Sequence, residues 1–166
     1  FSFTTLCVAP VISSYPFTED VEGATLNDLP CGWLQENNNG DGVVWGTDDN
    51  NANSGSQHFQ ISFNGSLAMD DWLISPEFQL VGGTSYDISF SYASAGFSED
   101  MDVFVLDGQS SGATQLQQLA DLNSFTSGTY TTVTESFVPA SSGSYYIGFH
   151  GISPADEFRI YLDDVS

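Results

Sequence analysis

The chain has no lysine and a single arginine, Arg159, against 22 aspartates and glutamates, for a formal charge of −21. Such a surface repels phosphate backbones and offers anionic lipid no basic patch, which excludes nucleic-acid binding and electrostatic docking on membranes. No run of 18 apolar residues occurs, so direct membrane insertion through an apolar helix is excluded as well. Histidine is nearly absent: His58 and His150 are the only two, and they form no H-E-x-x-H pair. No internal repeat is visible. Cysteine is limited to Cys7 and Cys31. Outside the cell the two would close a loop of about 25 residues, worth roughly 3 kcal/mol in the chain-entropy model. The alternative is two unpaired thiols buried as small hydrophobes.

What is present describes a packed globule. Of the 166 residues, 40% are hydrophobic and 14% aromatic, far more than a disordered acidic tail carries. The length suits one domain. Residues 1–15 read as an apolar strap or strand, and 16–166 as the domain proper. The start at Phe1 reads as that of a processed or excised segment. Tyr86, Ile88, Phe90 and Tyr92 alternate with Asp87, Ser89 and Ser91, the period of a half-buried strand. Residues 59–63, 72–74, 102–106, 130–138, 145–149 and 158–162 supply further strands, separated by Gly, Asn, Ser and Asp clusters. Only Ala113 to Leu122 has helix-like spacing, and a loop with a short strand fits it equally. The pattern predicts an all-β fold, an antiparallel β-sandwich of the jelly-roll kind.

Twenty-one uncompensated charges destabilise a compact chain by self-repulsion. Salt, proton uptake or divalent cations relieve it, and only the last predicts specific sites. Asn37, Asn39 and Asp41 followed by Gly42 match the spacing of a calcium loop, with Asp48 at the twelfth position. Asparagine lowers the ligand charge and Asp48 is shorter than glutamate, so a turn cluster without a metal is the competing reading. A second candidate joins the chain ends. Glu19 and Asp20 near the start, Asp163 and Asp164 near the end, and Asp71 beside Asp70 would converge if first and last strands pair. Such carboxylates need a cation or take up protons, unless they form a solvated acidic edge.

Gly108-Gln-Ser110-Ser-Gly112 fits the G-x-S-x-G of a nucleophile elbow, with His150 downstream. An α/β-hydrolase needs crossover helices for which this chain has no room, so a Gly/Ser turn is the better reading and no catalytic residue is assigned. Trp33, Trp45 and Trp72 are expected in the core. Tyr92 and Phe97 are candidates for an exposed ligand surface.

Residues Pro16 to Gly23 with Glu19-Asp20, then Leu29 to Trp33, then Asn39-Gly-Asp-Gly42 with Trp45, resemble the opening of the cleaved-adhesin, MAM-like domain of secreted Bacteroidetes surface proteins. Asp70-Asp71-Trp72-Leu-Ile-Ser75-Pro76 is similar to that family's central box, and Tyr161-Leu162-Asp163-Asp164-Val165 to its close. The resemblance spans 16–165. It implies a jelly roll with structural calcium at Glu19, Asp71 and the Asp163–Asp164 pair, and mostly buried tryptophans. It also implies a non-catalytic extracellular or cell-surface module for adhesion or carbohydrate binding, its partner a glycan or a surface protein. The alternative is a structural subunit of a surface layer or filament, self-assembling through its N-terminal strand.

Overall fold

The computed structural model describes residues 7–166. Twelve strands follow in order: β1 (Val11–Ile12), β2 (Leu34–Asn37), β3 (Gly46–Asp48), β4 (His58–Ser62), β5 (Asp71–Ile74) and β6 (Glu77–Leu80). Then come β7 (Tyr86–Ser94), β8 (Glu99–Leu106), β9 (Gln115–Phe125), β10 (Thr131–Phe137), β11 (Gly143–Gly151) and β12 (Arg159–Asp163). Two sheets face each other. The first is centred on β11, which pairs β8 along one edge and β6 and then β5 along the other; β9, β1 and β2 flank these. The second runs β10-β7-β12-β4-β3. Among the described residues, every pairing is antiparallel except β1 with β6. This is an all-β jelly-roll sandwich. Among the described residues no helix is long and apolar enough to cross a membrane.

Alternation builds the core between the sheets. Phe90 (β7), Phe59 (β4), Ile160 and Leu162 (β12) face Phe149 (β11), Leu73 (β5) and Val103 (β8), all essentially inaccessible to water. Phe149 sits at the centre, 5.3 Å from Phe90 and 6.4 Å from Trp33. All three tryptophans are buried.

The segment 113–122 is where helical spacing misleads. From residue 115 on it lies in β9, paired with β8 through three register shifts. Each bulge adds a residue to one strand and re-phases its side chains. Leu119 is therefore buried while Leu116 is exposed, and the apolar positions fall three apart instead of two. The described part of the strap, 7–15, folds back on its own chain: β1 lies along β6, and a disulfide joins Cys7 to Cys31 with Cα atoms 5.7 Å apart. Residues 1–6 of the expected strap lie outside the described residues.

A second apolar cluster lies on the outer side of the first sheet. Trp72, Ile74, Phe104 and Leu106 form it, with Leu34, Ala113 and Tyr146 packed around. Gly148 makes it possible. A Cβ there would stand 2.8 Å from Leu106 Cδ1 and 2.9 Å from Trp72 Cζ3. Gly148→Ala is expected to cost about 1–3 kcal/mol by overpacking, read as a lower denaturant midpoint at unchanged slope.

Candidate functional site

The chain after β2 turns back over the start of β5. Asn37 pairs Asp71 in register, Asn38 N–H donates to Asp70 O at 2.9 Å, and Asn39 Nδ2 donates to Ala68 O at 2.7 Å. The loop curls through side-chain turns. Asn37 Oδ1 accepts from Gly40 N, Asn39 Oδ1 from Asp41 N, and Asp41 Oδ1 from Val43 N, at 2.7 to 3.0 Å. Gly40 and Gly42 take φ of 70° and 82°, a region where a Cβ is strained. Trp45 closes the loop by donating Nε1–H to Asp71 O at 3.1 Å.

Asp71 is only 1% exposed. Its Oδ2 accepts from Asp70 N at 3.2 Å, and its Oδ1 has no partner. Burial raises its pKa to about 6, and the charges of Asp41 and Asp70 add to the effect. Asn37, Asn39, Asp41 and Asp71 are thus drawn to one place, where a buried carboxylate oxygen is left open. Asp48 is not among them. It lies on β3 in the other sheet, opposite His58, and accepts from Gln60 Nε2, Asp49 N and Asn50 Nδ2.

The segments around Glu19 and Val165 also meet. Glu19 and Val165 exchange backbone hydrogen bonds of 2.8 and 3.1 Å. The carboxylates around this junction are occupied by N–H and O–H donors. Glu19 accepts from Val21 N and Trp33 Nε1, and burial raises its pKa. Asp163, fully buried, accepts from Asn53 N, Ser54 N and Asp164 N; burial outweighs these bonds and its pKa rises to about 6. Asp164, at φ 50°, accepts from Asn53 Nδ2 and Ser54 Oγ. Asp20 is exposed and accepts from Glu22 N at 3.3 Å. Glu22 itself, which no sequence motif singles out, accepts from Ser56 N, Ser56 Oγ and Gln57 N, and these bonds lower its pKa. Asp163, Asp164 and Glu22 therefore grip the loop from 53 to 57. Among the described residues, no three His, Cys, Asp or Glu side chains converge closely enough to hold a metal alone.

The remaining candidates separate. Tyr92 is half-buried toward the inside, its ring 4.9 Å edge-on from Phe125. Phe97 is 50% exposed between β7 and β8, 5.3 Å from Phe158, which lies 5.6 Å from Phe63. Arg159 rests over the Phe158 ring at 4.7 Å. The 108–112 motif lies in the β8–β9 hairpin, where Ser110 Oγ accepts from Gly112 N. Gln109 Nε2 donates to Gly32 O and Ser75 O, and Ser111 N to Glu36, so the hairpin is a cover for the outer cluster. His150 Nε2 pairs with Asp70 Oδ1 at 2.7 Å and the ring stacks on Trp72 at 4.2 Å.

The Cleaved Adhesin Domain model matches residues 17–107 and 97–166. No curated protein matches the sequence. Among solved structures, the K1 cleaved adhesin domain of Lys-gingipain from Porphyromonas gingivalis W83 is 20% identical, with a TM-score of 0.72 over 90% of this chain and 95% of that one. The CBM22-1 xylan-binding domain of Paenibacillus barcinonensis Xyn10C is 14% identical, with a TM-score of 0.58 over 90% of both chains. A CBM61 domain in complex with β-1,4-galactotriose is 12% identical, with a TM-score of 0.60 over 80% of this chain and 85% of that one. At these identities the likeness is one of fold. The family model, matched along nearly the whole length, carries the assignment: the chain belongs to the Cleaved Adhesin Domain family.

Proposed function

We propose that this chain is a non-catalytic, extracellular module for adhesion or carbohydrate binding, held together by calcium. The observation that carries the binding half is the family match along residues 17–166, supported by fold likeness to xylan- and galactotriose-binding domains. The partner is a glycan or a surface protein. The test is a glycan array probed with the calcium-loaded chain. Binding to at least one polysaccharide class is expected; silence across the array, with calcium present, removes the carbohydrate reading.

The calcium half is supported by the open Oδ1 of Asp71. A buried carboxylate beside two others is a poor resting state for the metal-free chain and a good one for a hard cation. Asp71 and Asp41 would hold the ion, with Asn37, Asn39 and backbone carbonyls as the neutral oxygen donors that calcium accepts. Glu19, Asp163 and Asp164 fit less well as a second site, because none of them has a buried oxygen left open like Asp71 Oδ1. Bound there or at Asp71, the ion would supply charge neutralisation, in a chain with almost no cations of its own.

A further inference from the structure

We propose that Arg159 and the phenylalanine ladder beside it recognise a single carboxylate-bearing sugar on an otherwise neutral oligosaccharide. The proposal rests on the carbohydrate reading above. Arg159 is the chain's one lysine-or-arginine cation among 22 carboxylates, yet no carboxylate lies within 4.0 Å of its guanidinium. Among the described residues the one ion pair is His150 with Asp70. Asp156 and Glu157 are near in sequence and do not reach Arg159. Glu99, buried, spends Oε1 on Phe158 N at 2.7 Å; its Oε2 is buried without a partner and still lies more than 4.0 Å from the guanidinium nitrogens. Arg159 Nε is buried without a partner.

One face of the guanidinium is held by the Phe158 ring, which orients it; Nε is buried, and the fork offered to a ligand is that of the two terminal nitrogens, which make no hydrogen bond among the described residues. A carboxylate is the anion whose geometry matches that fork with two parallel hydrogen bonds. Phe97, packed on the same Phe158 ring at 5.3 Å, presents a half-exposed ring, and apolar sugar faces stack on such rings. A cation and an exposed aromatic that share one phenylalanine fit a pyranose with a carboxyl group better than a neutral one. The net charge of −21 sets the limit. Screening over about 8 Å at physiological salt lets one ligand carboxylate approach one guanidinium, but a polyuronate brings many charges toward an acidic surface. One acidic residue per chain is therefore the preferred form.

The test is calorimetric titration of the calcium-loaded chain with three probes: a neutral xylo-oligosaccharide, the same oligosaccharide carrying one glucuronic acid, and polygalacturonate. The single-acid probe is expected to bind about tenfold more tightly than the neutral one, the scale of one charge-assisted hydrogen bond. Polygalacturonate is expected to bind more weakly than the single-acid probe. Arg159→Gln should erase the difference between acidic and neutral probes, and exposed Phe97→Ala should weaken both. Thermal midpoints of both variants confirm that the fold is kept, and Arg159→Lys, which keeps the charge and loses the planar fork, stands in if Arg159→Gln does not fold, with a reduced acidic preference expected. Equal affinity for neutral and single-acid probes, or an acidic preference that survives Arg159→Gln, overturns this inference and leaves the carbohydrate reading intact. Binding of none of the probes, with a silent array, overturns both.

Discussion

Replacing Asp71 by asparagine is expected to change stability with opposite sign with and without calcium. In EDTA at pH 7.5 the variant should be more stable than the parent. The Asp71 carboxyl has a folded pKa of about 6, above its ordinary 3.8. A carboxyl raised in this way favours the folded state fully below pH 3.8, and that contribution is lost as pH rises through 6. At pH 7.5 the ionised form costs at most about 3 kcal/mol relative to a neutral side chain, which asparagine supplies at nearly the same volume. The advantage of Asp71→Asn should halve by about pH 5 and vanish below pH 4, where the parent is protonated in both states. In saturating calcium the order should reverse, because the variant lacks a charged ligand. Denaturant midpoints at pH 7.5 and below pH 4, each in calcium and in EDTA, check all four combinations. A variant destabilised equally in both media would mean that Asp71 is a structural acceptor only.

Trp72→Ala is expected to cost about 3–5 kcal/mol, a fall in thermal midpoint of about 6–20 °C for a domain of this length. The large value has a particular cause. Trp72 belongs to the outer cluster and stacks with both His150, at 4.2 Å, and Phe104, at 5.8 Å. It also lies directly after Asp71 on β5. Its loss leaves a cavity on the outer side of the sheet and removes the floor beneath Ala113 and the 107–114 hairpin. Proteolysis should therefore begin in that hairpin in the variant, while the parent resists there. A drop of only a degree or two would mean that the outer cluster does not support the sheet.

The strands were legible wherever a sheet has one apolar and one polar face, as in the Tyr86 to Tyr92 alternation of β7. They were illegible where bulges break the period, as in β9. The convergence of Asn37, Asn39 and Asp41 with Asp71 could be half read. The turn spacing was visible in the chain, but the pairing of β2 with β5 that brings Asp71 in is a long-range contact. Asp48 fitted the loop spacing, and its strand carries it to the other sheet. Glu22 had no signal, because an isolated glutamate gripping the backbone of residues 56 and 57 is set by tertiary approach alone. The outer cluster was hidden for a related reason. In β5, four consecutive residues are buried, so no alternation marks which of Trp72 and Leu73 faces outward.

The measurement that bears most directly on the account is thermal unfolding in calcium against EDTA, at one ionic strength so that screening is constant. At a hundredfold excess over the dissociation constant, a single ion stabilises by about 2.7 kcal/mol, a midpoint rise of about 5–10 °C. That rise, absent in Asp71→Asn, is the predicted result. An unchanged midpoint in a sample shown by elemental analysis to carry no metal would contradict the account, and leave salt screening to offset the charge of −21.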